Sequence, residues 1–227
     1  MGLKIAIVGA GAIGGYLGVK LALAGHDVTF VARGENLKAI QAHGMKLELD
    51  TGEVLHAQNV RGCTIAEAGP HDYVFLTMKS HQVEPVAASL AGLCHAHTAV
   101  VTMQNGVPWW YFHGLPGHEG RQLNSVDPGG KLWAQIGPER VIGSVVYPAA
   151  ELIAPGVVKL IEGNRFTLGE PSGEKTERIT ALAQAMIGAG FKTPVSNDIR
   201  SELWVKLWGN LTFNPVSALT HATLEDI

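Results

Sequence analysis

Lys206, Asn210 and Asn214 recur at intervals of four in ELWVKLWGNLTFNP (202–215), a stretch that is otherwise mostly apolar. On an α-helix that spacing drifts by only about 40° per step, so the three side chains form one polar line on an apolar rod. Ile199, Leu203, Trp204, Leu207, Trp208 and Leu211 make the helix apolar around most of its circumference, and such a helix is expected to be buried. A buried amide without a partner costs roughly 1–3 kcal/mol, and a lone buried ammonium more. A polar ligand held by one cation and two amides in a dry surround is one way to satisfy all three. The blander alternative is that Lys206 reaches water and the asparagines bond to nearby backbone. Asp198 is placed to cap the helix, and Pro215 to end or kink it.

A second set of residues points to a nucleotide. Gly9, Ala10, Gly11, Ala12, Ile13 and Gly14 form a GxGxxG pattern between the apolar run LKIAIV (3–8) and the helical spacing of Leu17, Leu21 and Ala24. Gly9 permits the tight turn, Gly11 lets backbone approach a pyrophosphate, and Gly14 lets the helix pack on the strand. The helix N-terminus then offers N–H groups to the phosphates. The next β-like run, HDVTFVA, ends in Arg33 where a NAD site usually has a carboxylate. A guanidinium can fork onto a 2′-phosphate, so NADP(H) is favoured over NAD, although Glu35 stands near enough to reach a ribose. Lys79 follows the run YVFLTM, and Gln104-Asn105-Gly106 ends the run 99–103. Both lie at the carboxyl ends of expected strands, where ligands of open α/β sheets bind. Asn105 can donate and accept at once.

The elements that must position these groups read as α/β. Strand, glycine turn, helix and strand fill the first 33 residues as one βαβ unit. Further β-like runs cover 45–49, 54–60, 73–77 and 99–103, with helix-like segments over 37–43 and 83–93, which implies a mostly parallel sheet covered on both faces. From Gly143 the runs GSVVYPA, GVVKLIE and RFTLGE resemble antiparallel strands at a sheet edge. Residues 176–189 are helical by periodicity, and 191–195 reads as a last strand. The segment 109–138, rich in Gly, Pro and His, reads as irregular.

Composition narrows the partners. The chain has 227 residues, 46% hydrophobic and 16% charged, with a formal net charge of -3. That is enough to bury a sizeable core, and it lacks the concentrated basic footprint of a nucleic-acid or polybasic membrane binder. Cys63 and Cys94 lie far apart without metal-ligand spacing, the N-terminus has no secretory pattern, and no run approaches a membrane span. A reduced, cytoplasmic protein is expected.

With these motifs in place the chain resembles the ketopantoate reductases (2-dehydropantoate 2-reductases). The resemblance runs from GxGxxG through Arg33, Lys79 and the Asn105-Gly106 pair, and is most specific in NDIRSELWVKLWGNLTFNPVSAL (197–219). It implies a Rossmann-type NADP-binding domain, residues 1–196, then the beginning of an all-helical catalytic domain, 197–227. It implies that Lys206 is the general acid in NADPH-dependent reduction of ketopantoate to pantoate, a step of pantothenate biosynthesis. Asn210 and Asn214 would orient substrate and Asn105 would touch both ligands. Lys79 would lie near the nicotinamide ribose, and backbone near Ala149 would contact cofactor. Reducing a 2-keto acid builds negative charge on the carbonyl oxygen, which a desolvated lysine can both stabilise and protonate. No metal is needed.

Family members are longer, and their later helices supply a serine and a glutamate with no counterpart here. The chain is therefore read as a trimmed product, or as a short chain without activity. A family position that is often polar is Leu224 here, and the long 109–138 segment could reshape the cleft for another 2-keto acid. The competing readings are a paralogous keto-acid reductase and a non-catalytic NADP(H)-binding sensor. A homodimer is plausible if the Trp204/Trp208 surface is left exposed.

Overall fold

The computed structural model describes residues 2–223 and 225–227, so Leu224 lies outside the described residues. In chain order the elements are β1 (Lys4–Val8), α1 (Ala12–Leu23), β2 (Asp27–Val31), α2 (Gly34–His43), β3 (Met45–Glu48), β4 (Val54–Ala57), β5 (Arg61–Cys63), α3 (Ile65–Ala68) and β6 (His71–Leu76). They continue with α4 (Ala87–Leu90), β7 (Cys94–Thr102), α5 (Lys131–Ile136), β8 (Val141–Val146), β9 (Ala149–Ala154), β10 (Val157–Glu162), β11 (Phe166–Gly169), α6 (Glu177–Gly188) and α7 (Ile199–Thr220).

The main sheet has seven strands in the order β11-β8-β7-β6-β1-β2-β5, parallel except for β11 against β8. This is the Rossmann-type fold that the alternating runs imply. Alternation along each strand divides the core. Ile5 and Ile7 face one cluster with α1, α6 and the second sheet, while Ala6 and Val8 face another with α4, α5 and the base of α7. No helix among the described residues is long and apolar enough to cross a membrane.

Several expectations need correction. The run 157–162 is not at an edge of the main sheet; it forms a separate four-stranded sheet, β4-β3-β10-β9, in which β10 runs parallel to β3. Residues 191–195 make only isolated bridges to Arg165 and Leu168, because Pro194 has no N–H to extend a ladder. The segment 83–93 is a short α4 between 3-10 turns, with Pro85 in the first of them. The 109–138 segment contains α5 and buries Trp109 and Trp110, the second of which donates its indole N–H to Thr102 Oγ1 at 2.8 Å.

In α7, Pro215 does not end the helix, which continues to Thr220. Both Pro215 and the Leu211 carbonyl it leaves unpaired sit on an exposed turn, where solvent can satisfy the oxygen. The helix is also not buried all round. Trp208 is 76% exposed and Leu219 83%, because no described element packs on that side.

The glycine turn shows why its residues are glycine. A Cβ on Gly14 would collide with the Gly9 carbonyl and lie 2.6 Å from Thr77 Oγ1 and 2.9 Å from Ile7 Cγ2. A Cβ on Gly11 would meet nothing within 4 Å. Gly14→Ala is therefore expected to destabilise the fold by about 1–3 kcal/mol through overpacking, whereas Gly11→Ala stays within about 0.5 kcal/mol. Chemical denaturation of the two variants beside the unaltered protein checks this; equal midpoints would contradict it.

Candidate active site

The order of the main sheet makes one end of it a site. From β1 the chain moves outward to β2 in one direction, then returns through β6, β7 and β8 in the other. The switch point lies between β1 and β6, and ligands of such sheets bind outside the carboxyl ends there. Gly9 follows β1, Lys79 follows β6, Asn105 follows β7 and Tyr147 follows β8. Since these four strands are parallel neighbours, all four residues stand on one edge.

A cavity of about 470 Å³ opens at the switch point, lined in part by Gly9, Ala10, Gly11, Arg33, Asn36 and Met78. Its wall is mainly apolar, with Val8, Val31, Ile65, Val86 and Leu152 also contributing. Gly9 takes φ +103°, and its N–H donates to the Val31 carbonyl at 3.1 Å, so the turn is tied to the end of β2. Thr77 Oγ1 donates to the Gly9 carbonyl at 2.7 Å and lies 3.1 Å from that of Val8. Ala12 and Ile13 begin α1 directly after Gly11 of the cleft wall, Gly14 is buried within its first turn, and no side chain caps the N–H groups there.

Arg33 is the N-cap residue of α2, with an exposed side chain that makes no hydrogen bond or ion pair among the described residues. The open backbone at Gly11, the helix N-terminus and this uncommitted guanidinium fit a dinucleotide with a 2′-phosphate. Glu35 is paired instead with Lys38 at 2.8 Å.

The second group gathers one strand further along. Ile199, at the base of α7, is buried against Gly143 of β8 and Gly169 of β11, where any side chain would meet it. Asp198 caps the helix by accepting from the Ser201 N–H at 3.0 Å. Arg200 donates to the carbonyls of Tyr111, Pro171 and His113 at 2.5–2.7 Å, fixing the helix base to two loops. These contacts aim Lys206 at the sheet edge.

The Lys206 ammonium donates to Asn105 Oδ1 at 2.7 Å and to the Val146 carbonyl, bridging the ends of β7 and β8. It lies 5.9 Å from the centre of the Tyr147 ring. Burial pushes its pKa below that of an ordinary lysine. Asn210, one turn on, lines the same small cavity as Lys206 and Asn105. Gln104 connects the two regions, since its amide donates to the carbonyls of Leu76 at 2.7 Å and Met78 at 3.0 Å.

Lys206, Asn210 and Asn105 thus come together, and Gly9, Ala10, Gly11 and Arg33 line a neighbouring cleft. Asn214 is exposed a further turn along α7 and does not line the small cavity. Lys79 is exposed beyond the end of β6, where its backbone N–H donates to Gln82 Oε1 at 3.1 Å. Ala149 is exposed at the start of β9, paired with Glu162.

The sequence reading missed Asn36, whose partners are remote in the chain, and Ser144, which is 3% exposed beside Lys206 with no protein partner for its hydroxyl among the described residues. Ser144 had a signal, as the one polar residue in VIGSVV; Asn36 had none.

A family model described as "Ketopantoate reductase PanE/ApbA" matches residues 5–109. The chain is 58% identical over 227 residues to a 2-dehydropantoate 2-reductase of Mesorhizobium japonicum, covering 99% of this chain and 69% of that one. It superposes on a crystal structure from Ralstonia solanacearum described as a ketopantoate reductase, with TM-score 0.93 and 41% identity over 98% of this chain and 69% of the other. A 2-dehydropantoate 2-reductase structure from Geobacter metallireducens matches with TM-score 0.81 and 30% identity, covering 96% of this chain and 66% of that one. Across the Mesorhizobium protein and two further relatives, the chain spans 61–69% of the relative's length.

Proposed function

The chain belongs to the ketopantoate reductase family of NADP-dependent oxidoreductases, and on that premise we propose that it serves NADPH-dependent reduction of ketopantoate to pantoate, with Lys206 as general acid. The observation that carries this reading is the placement of the Lys206 ammonium against Asn105 and the Val146 carbonyl, one strand away from the dinucleotide cleft.

Gly9 to Gly14 would hold the pyrophosphate, Arg33 the 2′-phosphate, and Lys79, Asn105 and backbone near Ala149 the nicotinamide half. When bound, NADPH supplies hydride. As the ketone becomes an alcohol, its oxygen gains negative charge, and Lys206 Nζ stabilises that charge and delivers the proton. Asn105 orients the ammonium by accepting from it, and Asn210 offers an amide to the substrate from the same helix face. Asn214 extends that face by one turn. Residues 197–227 act on this reading as the first part of the catalytic domain.

NADPH oxidation by the intact protein, followed with ketopantoate beside NADH and a panel of other 2-keto acids, tests the assignment. Turnover with ketopantoate and preference for NADPH are expected. Preference for another keto acid would retain the chemistry and overturn the substrate; cofactor binding without any reduction would overturn the catalytic role.

A pH profile adds a second check. Lys206 must carry its proton to act as the acid, so kcat is expected to hold at neutral pH and fall as pH rises through the lowered pKa. The alkaline limb should lie below about 10.4, the value of an unperturbed lysine. A limb at or above that value would contradict a desolvated Lys206.

A further inference from the structure

We propose that Asn36 is a positioning residue for the cofactor, clamping the peptide between Ala10 and Gly11 and joining it to the β9–β10 turn. The proposal rests on the cofactor reading above. Asn36 lies in the first turn of α2 and lines the dinucleotide cleft. Its Nδ2 donates to the Ala10 carbonyl at 2.6 Å, and its Oδ1 accepts from the Gly156 N–H at 2.7 Å. One neutral amide therefore uses both ends, donating through its nitrogen and accepting through its oxygen.

The Ala10 carbonyl and the Gly11 N–H belong to one rigid peptide plane. The N–H end is held by the Gly9 carbonyl at 2.7 Å, and Asn36 holds the other end. That plane sets the direction in which the turn enters α1, and so where the first free N–H groups of the helix meet the phosphates. The other partner of Asn36 is itself fixed. Gly156 has φ +74°, and its carbonyl accepts from the Lys46 N–H of β3 at 2.8 Å. The same hairpin brings Leu152 into the cleft wall. Asn36 thus links the phosphate turn to the second sheet, and its removal frees a plane that the cofactor must then order at its own cost.

The test is the Kd for NADPH, read from its fluorescence on the intact protein, for Asn36→Ala and Asn36→Ser beside the unaltered protein, with KM and kcat measured alongside. Loss of one such anchoring bond is expected to raise Kd and KM for NADPH by about tenfold, with kcat at saturation and the keto-acid KM changing by less than about twofold. In amide NMR of the cofactor-free variants, the Gly156 N–H signal should also move. A Kd within about twofold of the unaltered protein would overturn the proposal, as would a parallel loss in kcat and keto-acid KM, or failure of both variants to fold. If the unaltered protein itself does not bind NADPH, the cofactor reading falls, and with it the proposal. Tight binding by the unaltered protein and both variants alike removes only the role of Asn36.

Discussion

Lys206→Ala is expected to lower kcat for keto-acid reduction by about 10²–10⁴-fold, the range that a positioned general acid supplies, while the Kd for NADPH changes by no more than a few fold. The asymmetry follows from where the lysine stands. Its ammonium is bonded to Asn105 Oδ1 and the Val146 carbonyl on the substrate side of the edge, and it does not line the cleft of Gly9 to Gly11. Removing it leaves the dinucleotide contacts intact and takes the ammonium away from that face of α7. Lys206→Arg is the discriminating companion. It keeps the charge, so it retains electrostatic stabilisation of the developing oxyanion, but a guanidinium does not give up its proton at working pH. Partial recovery by arginine would apportion the effect to charge, and none would apportion it to proton transfer. Equal turnover of Lys206→Ala and the unaltered protein would defeat the mechanism, and a parallel collapse of NADPH binding would mean that Lys206 holds the fold of the edge instead.

What was legible in the sequence follows from how local each constraint is. Gly9 and Gly14 were readable because a tight turn and a close helix–strand approach exclude a side chain whatever the rest of the chain does, and both constraints are met. The polar line on α7 was readable because a helix fixes the relative bearing of Lys206 and Asn210 from spacing alone. Apolarity around the whole helix states what that surface requires; it does not show that the requirement is met within these residues, and Trp208 and Leu219 stand exposed. The rule for Pro215 was local too, yet the helix does not end there, because a solvated turn tolerates the lost bond. The second sheet was hidden because β3 and β10 pair across more than a hundred positions, with Lys46 opposite Val157. Asn36 was hidden for the same reason, its two partners being 26 and 120 positions away. Periodicity carries no information about such pairings.

Arg33→Ala is expected to weaken NADPH binding by about 10–100-fold, with NADH binding changed by less than about twofold. Hydrogen bonds to a charged group contribute roughly 1.5–3 kcal/mol, and the 2′-phosphate that distinguishes the two cofactors is the group a guanidinium at this position would meet. A second cation, Lys38 on the helix that follows β2, stands against Glu35 at 2.8 Å and does not line the cleft. The competing NAD reading would need Glu35, the carboxylate that could receive a ribose, and Glu35 does not line the cleft. Since Arg33 is exposed, its attraction is screened by salt, and the preference for NADPH should narrow as ionic strength rises toward 1 M, where the Debye length is about 3 Å. Arg33→Ala should flatten that salt dependence along with the preference. Titration of both cofactors at low and high salt, on the unaltered protein and the variant, separates the possibilities. If both cofactors weaken together, Arg33 supports the turn and does not read the phosphate; if neither weakens, the 2′-phosphate is met by another group and the assignment of Arg33 is wrong.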